Sequence, residues 1–204
     1  MSYDPSNTAI LLVDPYNDFL SDGGKLWPRA KAVAEEVKLL DHLREVVATA
    51  RAKGFKIFFV PHHRYQAGEL SDWAHPTPYQ KAAAAAVMFE RDSWGGTFHD
   101  DFQLQKGDIV VHEHWGSSGF ANTDLDAQLK QHGIQKIILI GMIANTCIEA
   151  TGPFGQELGY HVTLIKDATA AFSHEAMHAA HDINGPTYAR DIFTTDELLA
   201  QLSA

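Results

Sequence analysis

The chain has 204 residues, of which 45% are apolar and 21% charged, and its formal net charge is −10 at pH 7. This composition is that of a folded globular protein, and the acidic surplus argues against a nucleic-acid partner. The single cysteine, Cys147, cannot form an intrachain disulfide. The first ten residues lack the pattern of a signal peptide, and no apolar run approaches the roughly 20 residues that span a bilayer. We therefore expect one cytoplasmic domain over residues 1–204, with no membrane contact.

The first half of the chain alternates apolar runs with a helical pattern. Residues 9–13 form an apolar run before Asp14, which is typical of a buried parallel strand. Apolar residues then recur at helical spacing over residues 29–53. Residues 55–60 predict a second strand, and a short helix is expected at residues 78–87 within an otherwise irregular segment.

The second half of the chain continues the same alternation. The predicted elements are strands at 109–112, 135–142 and 161–168, helices at 123–131 and after Gly141, a helix capped by Ser173, and a strand and helix in RDIFTTDELLAQL. The Gly152–Pro153 pair is expected to kink the helix after Gly141. The alternation predicts an α/β fold, a three-layer α/β/α sandwich whose central sheet is mainly parallel.

Reactive side chains follow three of the predicted strands. Asp14 follows the first, residues 112–114 (His-Glu-His) follow the third, and Cys147 comes after the fourth, at the start of a helix. Parallel sheets bind ligands at the carboxyl ends of their strands, and a helix N-terminus favours a thiolate. Taken singly, Asp14 is explained as a turn former and Cys147 as a core residue. Together they favour a nucleophile site.

Three stretches carry a resemblance to a known family. They are AILLVDPYNDF, GDIVVHEHWGSSGFANTDLDAQLKQHGIQKIILIGMIANTCIEAT and GYHVTLIKDA. Over residues 8 to about 200 the chain resembles the isochorismatase-like cysteine hydrolases, which include nicotinamidases, N-carbamoylsarcosine amidases and ureidoacrylate amidohydrolases. The resemblance implies the same Rossmann-like sandwich that the alternation predicts.

The resemblance also implies a mechanism that passes through a thioester. Asp14 would take the proton of the thiol and later return it, and Cys147 would attack an amide-like carbon. The backbone N–H groups of Ile143 and Cys147 would form the oxyanion hole. The turn that carries them would contain a cis peptide bond between Met142 and Ile143.

The family's third catalytic residue, a lysine, has no counterpart in this chain. Residues 107–129 contain no lysine, and counts made from the two sides of the loop place either Glu113 or His114 at its position. A glutamate beside Asp14 would share a proton with it, whereas His114 or His112 would restore the positive charge. We predict Glu113 as the third catalytic residue. His114 in that place, Glu113 as a group that recognises a cationic substrate, and Glu113 as a solvated strand-end charge remain alternatives.

Candidate substrate-binding residues surround these positions. They are Phe19, His114, Trp115, Phe120, Asn145 and Thr146. Aromatic side chains around a thiol suit a small, partly apolar substrate. Core packing explains the aromatic residues equally well, and Asn145 and Thr146 are also explained as residues that shape the turn.

Two histidine clusters raise the question of a metal. Residues 174–181, HEAMHAAH, contain the H-E-x-x-H pattern of zinc peptidases, but such a site also needs a third ligand and an open coordination position. The resemblance places this stretch at the rim of the site or on the surface. Nicotinamidases of the family bind zinc after the second strand, where this chain has His62 and His63 but no Asp-x-His. We predict neither a metal nor a cofactor.

We therefore expect a cysteine-dependent hydrolase acting on an amide, ureido or related C–N bond of a small molecule, in the homo-oligomeric state that is usual in the family. Two alternatives remain open. One is the hydrolysis of a vinyl ether by acid catalysis, as in isochorismatases that lack the cysteine. The other is a binding protein that keeps the fold without catalysis. The reactivity of Cys147 distinguishes the enzyme from the binding protein.

Overall fold

A six-stranded parallel sheet forms the centre of the protein. The computed structural model describes residues 3–202, and the strand order is β3-β2-β1-β4-β5-β6. The strands are β1 Thr8–Val13, β2 Lys56–Val60, β3 Ile109–Val110, β4 Lys136–Met142, β5 His161–Ala170 and β6 Asp191–Phe193. The α-helices are α1 Asn17–Leu20, α2 Trp27–Glu36, α3 Leu39–Ala52, α4 Pro78–Ala85, α5 Leu125–Gln131, α6 Glu149–Glu157, α7 His174–His178 and α8 Thr195–Leu202. Every pair of neighbouring strands runs parallel, which confirms the predicted α/β architecture.

Both faces of the sheet are covered. Ile10 and Leu12 of β1 face a core that includes buried residues of α2, α3 and α8, whereas Leu11 and Val13 face a second core that includes residues of α5. Successive residues of a strand point to opposite faces, so a run that is apolar throughout suits a strand between two layers of helices. The apolar run before Asp14 is therefore fully buried, as predicted.

The single helix predicted over residues 29–53 is wrong, because the structure has two helices there. Lys38, between α2 and α3, has a left-handed backbone with φ of 52°. This turn redirects the chain while Val33 of α2 and Leu43 of α3 stay in the same core. No glycine or proline marks the break in the sequence, so the helical spacing alone could not reveal it.

Helix α6 continues past the Gly152–Pro153 pair to Glu157. A Cβ atom on Gly152 would lie 2.2 Å from Cε2 of Tyr188, so the close packing of this aromatic ring requires a glycine.

The cap predicted for the histidine-rich helix is confirmed, since Ser173 Oγ accepts the N–H of Ala176 at 3.2 Å. Among the helices of residues 3–202, none combines the length and apolarity needed to cross a bilayer.

Candidate active site

Asp14 is held rigidly where β1 ends. Its side chain is buried, its φ is 52°, and its N–H donates to the carbonyl of Val60 on the neighbouring strand at 3.1 Å. On the other side of β1, β4 approaches unusually closely at Gly141. A Cβ atom there would lie 2.1 Å from the carbonyl oxygen of Val13, and the φ of Gly141 is 115°. Glycine is therefore required for the ends of β1 and β4 to meet.

The turn after β4 carries Cys147. The peptide bond between Met142 and Ile143 is cis, as the resemblance implied. A π-helical turn, Ala144–Ile148, follows and leads into α6, and the N–H of Ile148 donates to the carbonyl of Ile143 at 3.2 Å. This turn leaves Cys147 only 4% exposed, on the side where β1 ends.

His114 reaches Asp14 from the third strand end. Its N–H donates to the carbonyl of Pro61 at 3.0 Å, which extends the sheet pairing beyond β3. Its Nε2 lies 3.1 Å from Asp14 Oδ1 and its Nδ1 lies 3.0 Å from the carbonyl oxygen of Gly116. Both ring nitrogens thus face acceptors, an arrangement that favours the doubly protonated ring. Burial alone would lower the pKa of His114, but the charge of Asp14 and their hydrogen bond raise it.

The thiol joins this pair to form a cluster of three reactive groups. A carboxylate oxygen of Asp14, a ring nitrogen of His114 and the sulfur of Cys147 all lie within 4.8 Å of one another. Burial, together with the adjacent Asp14 carboxylate, raises the pKa of Cys147 well above its ordinary value. The predicted bias toward a thiolate is therefore wrong for the resting site, because desolvation outweighs the effect of the helix N-terminus. Cys147 rests as a thiol.

The structure does not place Glu113 beside Asp14, which corrects the expectation for the third residue. Its carboxylate accepts a hydrogen bond from Arg64 Nε at 2.7 Å and lies 3.3 Å from His63 Nδ1. Burial would raise the pKa of Glu113, but hydrogen bonds from His63 and Arg64 hold it at about 2. Glu113 and His114 point in opposite directions because successive residues of an extended chain do so.

Glu113 lines a different cavity from the one that adjoins the thiol. The cavity at Glu113 has a volume of about 680 Å³ and is lined by Tyr16 and Arg64 among others. Neither cavity has a member of the Asp14–His114–Cys147 cluster in its lining, but the smaller cavity includes Thr146, which lies beside the sulfur of Cys147. We place the chemistry at the cluster, because reactive groups in contact are better evidence of a site than cavity size.

A smaller cavity, of about 300 Å³, adjoins the thiol. It is lined by His62, Tyr65, Thr77, Tyr79, Gln80, Trp115, Gly116, Ser117 and Thr146. Thr146 Oγ1 lies 3.8 Å from the sulfur of Cys147, so the cavity wall reaches the thiol. Two of the predicted substrate-binding residues, Trp115 and Thr146, line this cavity.

The other predicted substrate contacts lie elsewhere, apart from His114 within the cluster. Phe19 is 1% exposed and packs on Phe89, with ring centroids 4.9 Å apart. Phe120 is buried in the second core, against Tyr160. Asn145 is exposed and is not among the residues that line the cavity. The alternative of core packing therefore describes both phenylalanines, because a buried aromatic near a strand end looks the same in sequence whether it lines a pocket or a core.

Seven of the nine lining residues were not identified from the sequence as substrate contacts, among them Tyr65, Tyr79 and His62. Tyr65 and Tyr79 had no signal beyond their aromatic character, whereas His62 follows the end of β2 and so occupies the expected edge of the sheet. His62 Nδ1 lies 2.8 Å from the carbonyl oxygen of His63, and burial lowers the pKa of His62 to about 4. His62 is therefore neutral, donates through Nδ1, and keeps Nε2 as an acceptor.

Trp115 is fixed in the cavity wall by His63. The two rings stack with centroids 3.6 Å apart and an interplanar angle of 15°. His63 Nε2 lies 2.9 Å from Glu69, and its other nitrogen faces Glu113. Burial would lower the pKa of His63, but the hydrogen bonds to Glu113 and Glu69 outweigh it and raise the pKa. The ring of Trp115 is thus supported by an imidazole that is held between two carboxylates.

The histidines of HEAMHAAH do not converge on one point. His174 and His178 are both 65% exposed; the first pairs with Glu36 at 3.5 Å and the second with Asp182 at 2.9 Å. His181 is buried and bonds to Thr169. The interpretation of this stretch as rim or surface is confirmed for His174 and His178.

A buried thiol, a carboxylate and an imidazole lie together at the carboxyl ends of parallel strands beside a small cavity, an arrangement that suits nucleophilic catalysis. Residues 8–188 match the isochorismatase domain, and the chain belongs to that family.

Several relatives carry named activities. The chain is 31% identical over 180 residues to a ureidoacrylate amidohydrolase of Klebsiella pneumoniae, covering 83% of this chain and 75% of that protein. A crystal structure of N-carbamoylsarcosine amidase from Thermoplasma acidophilum is 25% identical, with a TM-score of 0.68 and coverage of 93% and 97% of the two chains. A cysteine hydrolase from Pseudomonas syringae shares the fold, with a TM-score of 0.78 at 21% identity over 98% of this chain and 94% of that one. The protein is thus an isochorismatase-family hydrolase.

Proposed function

We propose that the protein hydrolyses an amide or ureido C–N bond of a small molecule through a thioester on Cys147. The observation that carries the proposal is the contact of three groups, the thiol of Cys147, the carboxylate of Asp14 and the imidazole of His114, beside a cavity of suitable size. The names of the relatives, a ureidoacrylate amidohydrolase and an N-carbamoylsarcosine amidase, support the choice of bond.

Each group has a distinct role in this mechanism. Asp14 takes the proton of the Cys147 thiol as the sulfur attacks the carbonyl carbon, because the resting thiol is protonated and a carboxylate is the nearest base. The developing oxyanion is stabilised by the backbone N–H groups of Ile143 and Cys147. Asp14 then protonates the leaving nitrogen, the amine departs, and water releases the acid from the thioester. His114 supplies the positive charge that a lysine supplies in related proteins.

The cavity favours a small substrate without net charge. Its wall consists of aromatic rings, hydroxyl groups, one amide side chain and the neutral ring of His62, and no side chain of the lining carries a full charge. Tyr65 and Tyr79 stay protonated near neutral pH, because a phenol ordinarily titrates near pH 10. Nε2 of His62 is an acceptor for an N–H group, which a carboxamide or a ureide provides.

The test is the turnover of a panel of small uncharged carboxamides and ureides. Ammonia release measures the turnover, and mass spectrometry of the chain detects the acylated Cys147. We expect a substrate that acylates Cys147, with turnover lost in Cys147→Ala and kept in the matched surface variant His174→Gln. Turnover that survives in Cys147→Ala would favour the acid-catalysed alternative. A Cys147 that neither turns over nor becomes acylated would favour the binding protein.

We also propose a cytoplasmic homo-oligomer. A free catalytic thiol is best preserved in a reducing compartment. Two exposed apolar side chains, Phe154 of α6 and Leu158 directly after it, offer a surface for a second copy. Light scattering after gel filtration tests the assembly: a mass of one chain in solution would refute it, and a dimer or larger species that dissociates in Phe154→Glu would support it.

A further inference from the structure

The three groups of the active site are also a set of metal ligands. Cysteine, histidine and aspartate are ligands that zinc accepts, and all three side chains are buried. Zinc–ligand bonds of about 2.0–2.3 Å place the donors of a tetrahedral site roughly 3.5 Å apart. Nε2 of His114 and Oδ1 of Asp14 are already 3.1 Å apart, and the sulfur of Cys147 lies within 4.8 Å of both. Small side-chain movements would complete the site.

The surroundings of the ligands also suit a metal. His114 Nδ1 faces the carbonyl oxygen of Gly116 at 3.0 Å, which leaves Nε2 as the coordinating nitrogen, and such an outer hydrogen bond is usual for a metal-bound histidine. The second oxygen of Asp14, Oδ2, is buried and accepts no hydrogen bond of ordinary geometry within residues 3–202. The thiol of Cys147 is the donor that faces the Asp14 carboxylate, and a bound metal would take the place of its proton. An unpaired buried carboxylate oxygen is costly unless a cation or a donor meets it.

We propose that the Asp14–His114–Cys147 cluster binds Zn²⁺ reversibly, and that His114 is the residue that makes this binding strong. A lysine in this place would present an ammonium group, which has no lone pair and repels a cation. Binding replaces the proton of the thiol, and any proton on His114, with the metal, and these protons pass to solvent. Metal binding does not depend on the hydrolase assignment. Its consequence, loss of the nucleophile and hence inhibition, rests on the proposed function.

The experiment uses the reduced, chelator-treated full chain and Co²⁺ as a spectroscopic probe. We expect one equivalent of Co²⁺ to give a thiolate-to-metal absorption band in the near ultraviolet, which Zn²⁺ removes by competition. Zn²⁺ should also slow the alkylation of Cys147 by iodoacetamide by about tenfold or more, and a chelator should restore it. His114→Lys should lose the band while its thiol remains open to alkylation. His174→Gln, which breaks the H-E-x-x-H pattern on the surface, should bind like the wild type.

The proposal would be overturned by the absence of a band in the wild type, by an unchanged band in His114→Lys, or by loss of the band in His174→Gln. Because a buried lysine can impair folding, His114→Gln and Cys147→Ser serve as second variants, each checked by circular dichroism. A folded Cys147→Ser that keeps the band would also overturn it. A wild type that binds Zn²⁺ but hydrolyses no amide would leave the metal site in place and reject the hydrolase, so the two failures are distinguishable.

Discussion

Replacing His114 and Glu113 in turn identifies the third member of the active site. His114→Gln keeps an N–H donor near Asp14 but removes the positive charge. Glu113→Gln removes a charge that faces Arg64 and His63 instead. If the cluster is the catalytic centre, the first substitution should abolish most of the activity and the second should leave it within a few-fold of the wild type.

The expected size of the effect follows from the geometry. The His114 and Asp14 side chains are fully buried and 3.1 Å apart, so opposite unit charges attract by roughly 5 kcal/mol at an effective dielectric constant of about 20. Positioned acid–base groups contribute about a hundredfold to ten-thousandfold to the rate, which corresponds to about 2.7–5.4 kcal/mol. The attraction to Asp14 keeps His114 charged in the resting site, and the catalytic gain comes from that charge acting on the Cys147 thiolate, which forms within 4.8 Å of it. We therefore expect kcat/KM of His114→Gln to fall by about two to four orders of magnitude.

The assay is kcat/KM on an amide found in the substrate panel, measured beside the rate of alkylation of Cys147. Urea denaturation of both variants checks that each remains folded under the assay conditions. The reasoning is refuted if Glu113→Gln loses as much activity as His114→Gln, or if His114→Gln keeps activity within about threefold of the wild type, which is less than 1 kcal/mol.

Two further predictions concern the scaffold and the cavity wall. Gly141→Ala should lower the free energy of unfolding by about 3 kcal/mol or more, because its Cβ would lie 2.1 Å from the Val13 carbonyl oxygen. Gly107→Ala is the control, because Gly107 has a φ of 104° but no atom near its Cβ, so this variant shows only the cost of the backbone conformation. Equal urea midpoints for the two variants would contradict the clash. The raised pKa of His63 means that its charged form stabilises the fold below the ordinary value of about 6.5 and that this contribution is lost as pH rises through the raised pKa. The stacked imidazolium quenches the fluorescence of Trp115, so this fluorescence should increase as the pH rises, with a midpoint above about pH 6.5. The signal of Trp115 is obtained as the difference between the wild type and Trp115→Phe. A midpoint at or below about pH 6.5, or one unchanged in His63→Gln, would show that the stack does not titrate as expected.

The strands could be predicted from sequence because burial on both faces leaves continuous apolar runs. Thr8–Val13 and Lys56–Val60 lie within one residue of their predicted bounds. The helical region was harder, since Lys38 adopts a left-handed backbone that a lysine seldom takes and that no neighbouring residue signals. Tertiary packing of the two helices on one core, and not local preference, sets the break.

The site residues could be predicted only where the end of a strand could be predicted. Asp14 and Cys147 follow long buried strands, so their position at one edge of the sheet follows from the topology. Glu113 and His114 follow β3, which has only two paired residues, Ile109 and Val110. So short a strand does not fix the direction of side chains three and four residues beyond it. That direction comes from the hydrogen bonds of His114 to the chain after β2, which a single sequence does not reveal.

The histidine at position 114 changes two properties of the site together. It supplies positive charge beside Asp14, as a lysine would, and it adds a ring nitrogen that can coordinate a cation, as a lysine cannot. Two variants separate these properties. His114→Gln should lose both the catalytic charge and the metal, whereas His114→Lys should keep the charge and lose the metal. If His114→Lys keeps substantial turnover but no longer responds to Zn²⁺, catalysis requires only the charge, and sensitivity to metal is what the histidine adds to this chain.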